Sequence, residues 1–333
     1  MSLLKFYNIT NCEWEVDFKN ETWSNILLLT RNFYACSDPL FTAVMGSLFI
    51  TLLVWLLSVI TRNYSQVDRL WTILPVIYTW HFVLYDCFKD LSACNLRFLN
   101  ARGIIMGILA TMWGVRLSYN FMRKGGYNWN GEDYRWPIIQ KKMHWIAFEI
   151  FNIIFISFYQ NILLMFLSAP AYVVWSTGDS APLNILDLVC CVLFLGFWIG
   201  EFIADEQQWN FQIEKRKMIA ASSSKTIPII SESNYSIGFL CNGLFRYSRH
   251  PNYFCEIGLW WIFYIFSIAA GGNELILNWS IIGVLNLTIL MYSSTIFTES
   301  ISRKKYPMYK EYQKTTSMII PWFSGPELIR KTT

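Results

Sequence analysis

Charge is the scarcest property of this 333-residue chain. Asp, Glu, Lys and Arg together make up 15% of it, against roughly a quarter in an ordinary soluble domain. The composition and a net charge of only +4 are a poor fit for a nucleic-acid-binding module. Histidine is scarcer still: His81, His144 and His250 are the only three, which excludes the His-rich di-iron sites of membrane desaturases and leaves no metal centre to expect. There is no Gly-x-Gly-x-x-Gly, so any dinucleotide site is not a Rossmann one. There is no Gly-x-Ser-x-Gly nucleophile elbow either. Eight cysteines are too few for a disulfide-stapled scaffold of this length. Internal repeats are missing, and the nearest approach to low complexity is a short polar stretch at 221–224.

What the chain has is apolar sequence. Hydrophobic residues reach 54%, aromatics 18%, and the mean hydropathy is +0.32. Runs without Asp, Glu, Lys or Arg cover 39–61, 70–85, 103–115, 150–178, 188–200, 257–273 and 275–298. A membrane-spanning helix needs about 20 predominantly apolar residues, and in lipid the backbone must satisfy its own hydrogen bonds. The expectation is an all-α, polytopic membrane protein with about seven spans, near 39–60, 70–88, 103–122, 145–168, 183–203, 253–271 and 277–298. Loops on one side then carry 20 of the 27 Lys and Arg residues, and those on the other carry 6. The positive-inside rule places the N-terminus in the lumen and the C-terminus in the cytosol. The expected division is a luminal segment over 1–38, one transmembrane domain over 39–325 and a cytosolic tail over 326–333.

The first residues have no basic region followed by an apolar core, so a cleavable signal is not expected. Asn8-Ile-Thr10 and Asn20-Glu-Thr22 are glycosylation acceptors if luminal. Cys12 and Cys36 are either a luminal disulfide or two free thiols. Arg330-Lys331-Thr332-Thr333 is similar to a dibasic retrieval signal of the endoplasmic reticulum, the expected location.

Ionisable groups against membrane helices are costly and by default mark function. Asp68, in Val67-Asp-Arg-Leu-Trp71, is either a helix cap or a carboxyl at the mouth of a buried cavity, with Tyr78, His81 and Tyr85 further along. Arg116, in Trp113-Gly-Val-Arg-Leu-Ser-Tyr119, lies inside the third span unless it reaches back to the cytosol. The loop 123–136 mixes both charges with aromatics, as suits a folded lid or a packed structural loop. Glu201 and Asp205 are four apart, hence on one helix face. They either bind polar ligand groups or form a solvated helix end. Gly243-Leu-Phe-Arg-Tyr-Ser-Arg-His-Pro-Asn-Tyr-Phe-Cys-Glu256 sets Arg246, Arg249 and His250 directly before a helix. A helix start offers free N–H groups and positive potential, and Arg adds bidentate phosphate recognition. Basic flanks also arise merely to fix topology.

At these residues the chain resembles the steroid 5α-reductase-like membrane reductases, in their broad uncharacterised branch. The likeness rests on 243–256, on Glu299 and 303–322 in the tail, and on 67–71, 113–117 and 132–136. It implies a seven-helix enzyme in which NADPH enters from the cytosol and a lipophilic substrate from the bilayer. The resemblance assigns the cofactor to Asp205, Asn252, Glu256 and the Arg303–Tyr306 region. Arg246, Arg249, His250 and Tyr253 join that candidate set from their own position. The Gln-Glu pair of the steroid enzymes is replaced, with Asp68 nearest in role, and their steroid-carbonyl Tyr falls at Trp113. The implied reaction is hydride addition to a carbon–carbon double bond conjugated to a carbonyl, in a steroid, enoyl or isoprenoid lipid. It needs a donor on the carbonyl oxygen; Asp68, Tyr78 and Tyr85 are candidates, with Trp113 and Arg116 completing the catalytic set. The competing class is an S-adenosylmethionine-dependent methyltransferase similar to the isoprenylcysteine carboxyl methyltransferases, which share Arg-His-Pro-x-Tyr. Expected partners are the lipophilic substrate and membrane lipids, with no nucleic acid.

Overall fold

The computed structural model describes residues 33–89, 99–178, 182–223, 237–271 and 277–323. The two glycosylation triplets, Cys12 and the terminal dibasic pair lie outside them. Among the described residues every regular element is helical, and the sole bridge between extended residues joins Ser248 and Ser317. Five helical stretches are long and apolar enough to cross a membrane: Pro39–Thr61, Trp145–Thr177, Ile185–Ala220, Pro251–Gly271 and Ile281–Lys305. The chain divides into two compact units, Met1–Asp187 with Tyr264–Gly283, and Leu188–Phe263 with Val284–Thr333.

In the first unit α1 (Pro39–Thr61) starts where Asp38 accepts the Leu40 amide at 2.7 Å and Pro39 occupies the first helical position, needing no donor. Its buried face, Ala43, Ser47, Thr51, Val54 and Ser58, follows helical spacing. The expected span over 70–88 is broken into α2 (Gln66–Leu70), α3 (Leu74–Val83) and α4 (Tyr85–Lys89). Pro75 lies in the first turn of α3, where the missing N–H costs nothing, and Leu84 ends that helix. The helix α5 (Ala101–Arg123) is capped by Asn100, whose side chain accepts the Arg102 and Gly103 amides. A Cβ at Gly114 would lie 2.6 Å from Val76 Cγ2 and 2.7 Å from the Thr72 carbonyl, so α3 and α5 meet only because that side chain is missing.

After α6 (Arg135–Gln140), the stretch from 145 to 177 runs as α7 (Trp145–Phe151), an eight-residue π-helical segment (Asn152–Tyr159), α8 (Gln160–Leu167) and α9 (Ala169–Thr177). The π segment turns polar side chains inward: Asn152 exchanges hydrogen bonds with Ser58 across α1, and Gln160 accepts the Trp71 indole N–H at 2.8 Å. Arg102 is 1% exposed and gives a bidentate pair to Asp187 at 2.6 and 2.8 Å. Each charge sits at the head of an apolar run, a juxtaposition the sequence suggests only in hindsight.

In the second unit the dominant element is α10 (Ile185–Ser223), 39 residues and about 58 Å at 1.5 Å per residue, roughly twice the 30 Å hydrocarbon thickness. The expected span over 183–203 is its first half; the second half carries the charges of 205–217. Next come a 3₁₀ turn (Gly243–Arg246), α11 (Pro251–Gly271), α12 (Ile281–Lys305) and α13 (Tyr309–Thr315). Rings of Phe197 and Phe254, 5.6 Å apart, mark the contact between α10 and α11.

Candidate functional site

Asp68 sits in a turn packed against the 123–136 loop. Its carboxylate accepts the Trp136 indole N–H at 3.0 Å, and burial, followed by the nearby Asp133 charge, pushes its pKa above the usual carboxylate range. The same turn grips the whole loop. Arg69 donates to the carbonyls of Asn128, Trp129 and Gly131, each at 3.1 Å. Asn63 donates to Trp129 and Gly131, Ser65 accepts the Asp133 amide at 2.8 Å, and Glu132 accepts the Tyr64 amide at 2.8 Å. The 123–136 loop is therefore a packed pad on residues 63–72, and the motif segments 67–71 and 132–136 are structural partners.

The remaining residues of the expected catalytic set lie elsewhere. Trp113 and Arg116 occupy the buried face of α5, 1% and 4% exposed. The Tyr85 hydroxyl donates to the backbone carbonyls of Tyr34 and Ser37. It belongs to an aromatic cluster with Tyr34, His81 and Trp175. With the ten residues of α3 between them, Tyr85 and Asp68 are separated by about 15 Å of helix. Tyr78 faces the opposite way, into the core beside Ser47. Elsewhere in the first unit the buried polar atoms Thr51 Oγ1, Ser157 Oγ and Asn161 Oδ1 meet no protein hydrogen-bond partner.

In the second unit Arg249 and His250 converge on a carboxylate that the sequence placed only in the tail motif. Arg249 donates to both oxygens of Glu299 at 2.6 and 3.0 Å, to the Gln313 carbonyl at 3.1 Å and to that of Thr316. His250 Nε2 lies 3.0 Å from Glu299 Oε1, and Gln313 donates to its other oxygen at 2.7 Å. The backbone repeats the pairing: the amides of Arg249 and His250 donate to Ser317 and Met318, and the Tyr312 hydroxyl donates to Phe245. The strongest anion ligand expected from the sequence is thus already holding the tail.

Other members of the cofactor set are distributed around it. Arg246 closes the 3₁₀ turn, and Asn252 and Tyr253 begin α11, with the Tyr253 ring 5.4 Å from that of His250. Asp205 and Glu256 are buried, as is Glu201, and Glu256 accepts the Trp260 indole N–H at 3.0 Å. Arg303 is exposed. Tyr306 has a partner that the sequence did not signal: Lys215 donates to its hydroxyl at 2.8 Å and to the Gly238 carbonyl at 2.6 Å. Burial alone would push the Tyr306 phenol up; the Lys215 hydrogen bond and charge outweigh it, with the Lys305 charge adding to them, and hold it below its ordinary value. Gly238 has φ +86° and its missing Cβ would lie 2.5 Å from the Tyr306 ring, so only glycine fits. Among the described residues no group of His, Cys, Asp and Glu could hold a metal.

Apolar spanning helices with buried carboxylates and a basic end define a membrane protein with a polar site in one unit. Residues 54–316 match the family described as "Protein of unknown function (DUF1295)", and the chain belongs to it. It is 34% identical over 299 residues to the "Uncharacterized protein C594.04c" of Schizosaccharomyces pombe (strain 972 / ATCC 24843), a match covering 88% of this chain and 83% of that protein. No solved structure matches.

Proposed function

We propose that this protein is an NADPH-dependent membrane reductase of the steroid 5α-reductase-like kind, acting on a double bond conjugated to a carbonyl in a lipophilic molecule. The observation that carries the reading is Tyr78 in its buried polar surroundings. Its hydroxyl, beside Ser47, is a neutral donor in an apolar core, suited to a carbonyl oxygen that gains charge during reduction. Tyr85 and Asp68 are engaged by backbone and Trp136, so Tyr78 takes the role for which all three were candidates.

The polar residues of the second unit suit a dinucleotide by their chemistry. Arg303, Lys304 and Lys305 are exposed cations ending a helix, appropriate to phosphates. Asp205 and Glu256 are acceptors appropriate to ribose hydroxyls or a carboxamide, with Arg246, Asn252, Tyr253 and Tyr306 near them in sequence or tail. When bound, NADPH supplies the hydride that reduces the β-carbon. A neutral hydroxyl donor would steady the resulting enolate oxygen, and a proton from water would complete the α-carbon.

The full proposal has seven spans, a luminal N-terminus and residence in the endoplasmic reticulum. Cys36 and Cys87 are disulfide-bonded, whereas Cys190, Cys191, Cys241 and Cys255 are free. The two oxidised residues fall on the side assigned to the lumen, where disulfides persist. A C-terminal tag should accordingly be cut by protease added to sealed microsomes; protection of the tag overturns the orientation.

The cofactor test is thermal denaturation of the purified full chain with NADPH or S-adenosylmethionine. A ligand at a hundred times its Kd stabilises by about 2.7 kcal/mol, a readable shift. NADPH alone should produce it. A shift with S-adenosylmethionine alone replaces the reductase with the methyltransferase class, and no shift with either removes both.

A further inference from the structure

The outer face of α3 carries a feature that the reductase reading does not use. Between α3 and α5 runs an open groove of about 430 Å³. Its walls include Ile73, Ile77, Val115 and Met122, and no Asp, Glu, Lys, Arg or His lines it. Val115 is 65% exposed and Ile77 53%, so the groove opens sideways, away from the buried face that holds Tyr78. From Thr111 to Met122 it follows twelve residues of α5, about 16 Å.

One end of the groove is polar in a specific way. Ser118 donates to Thr72 at 2.8 Å, Thr72 and Tyr127 are 2.7 Å apart, and Tyr127 donates to Ser118 at 3.4 Å. Run in that order, the three hydroxyls form a closed circuit that uses one donor each. Every oxygen keeps a lone pair, so the end offers acceptors, with the half-exposed Tyr119 phenol beside them on the same wall. The other hydroxyl in the groove away from the surface, Thr111, is already used: it donates to Gly107 at 2.7 Å and accepts from Trp80 at 2.9 Å.

These facts restrict the occupant. A lining without charge leaves a phosphate or carboxylate headgroup unpaired against apolar walls, which is costly. A ketone or ester can only accept, so it leaves the lone pairs of the circuit unused. A hydroxyl can donate to the circuit as well as accept. The circuit lies where α5 ends at Arg123 and the polar loop begins, while the apolar walls extend back along the helix. A hydroxyl at that end and hydrocarbon along the walls is how an amphipathic alcohol orients at a bilayer surface. We propose that this groove binds an uncharged lipid alcohol, one hydroxyl on a hydrocarbon body, taken from the surrounding membrane. The site is independent of the reductase reading.

The test uses the full chain in lipid nanodiscs with a photoreactive long-chain alcohol, its methyl ether and a photoreactive diacyl phospholipid, read by peptide mapping. One hydrogen bond is worth on the order of fivefold. The alcohol should label 72–77 and 111–127 at least about fivefold more than the ether or the phospholipid, on that same basis. Ser118→Ala should bring the alcohol down to the level of the ether, and Val115→Trp should block labelling with the melting temperature retained. Should Val115→Trp fail to fold, Ile77→Trp fills the same groove. Equal labelling by alcohol and ether, equal labelling by the phospholipid, or labelling that persists in the filled variant refutes the site.

Discussion

Replacing Arg249 with alanine separates two roles that the same residue could have. As a phosphate ligand it would contribute a charged hydrogen bond to cofactor binding, about 1.5–3 kcal/mol, and leave folding alone. The geometry argues for more. The Arg249 and Glu299 side chains are 8% and 5% exposed and share two hydrogen bonds. Removing one partner of a buried pair strands the other charge, at a cost of about 3–5 kcal/mol. At roughly 2–4 °C per kcal/mol for chains of 150–250 residues, Arg249→Ala should lower the melting temperature by on the order of 10 °C. The carbonyls of Gln313 and Thr316 lose their donor too, so trypsin should cut at Lys310 and Lys314 earlier. The Arg249→Ala, Glu299→Ala double variant, with no charge stranded, should be less unstable than the sum of the singles. Melting in mild detergent, followed by tryptophan fluorescence, measures all three. An unchanged melting temperature and tail, with NADPH affinity lost, refutes the tether and restores the ligand.

Two further outcomes follow from the first unit. Asp68 has a raised pKa, so the folded state binds its proton more tightly; that stabilising contribution is complete below the unfolded pKa and is lost as pH rises through the folded one. Asp68→Asn keeps an acceptor for Trp136 and should melt at the same or a higher temperature than wild type at pH 7.5, with the gap closing near pH 5; a lower temperature at pH 7.5 refutes the assignment. Arg69→Ala removes the donors to Asn128, Trp129 and Gly131, each a charged hydrogen bond of about 1.5–3 kcal/mol though not additive, and should speed amide exchange over 124–131; unchanged protection there contradicts the pad.

The helices were legible because charge-free runs of spanning length admit little else in lipid, and five of the expected stretches are helices long and apolar enough to cross a membrane. Where the reading missed, the cause lies in side-chain reach. The helix over 70–88 is interrupted at 71–73, where Trp71 donates to Gln160, a residue 89 positions away in sequence. Arg69 reads as a snorkelling cation because its partners are backbone carbonyls, which carry no residue identity. The pairing of Lys215 with Tyr306 was equally hidden, since 215–217 is an ordinary basic run and Gly238 gives no sign of the ring it accommodates. Glu299 was visible as a tail residue, but nothing local says that Arg249 and His250 share it.

That pattern bears on what the motifs mean. Residues 67–71 clasp 126–136, and 245–250 clasp 312–322, so the segments that carry the reductase likeness are bound to one another. Sequence constraint at Asp68, Arg69 or Arg249 then follows from folding alone and needs no substrate. The reverse holds for residues whose positions folding does not require. Tyr78 places a phenol where a Phe would fill the same apolar volume, beside the Ser47 hydroxyl, and the same unit buries Thr51 Oγ1, Ser157 Oγ and Asn161 Oδ1 without protein partners. Buried polar atoms without partners lower stability by about 1–3 kcal/mol each. Such atoms are retained at a cost to stability, which makes Tyr78, and not the motif's charged residues, the position at which the proposed reduction is best tested.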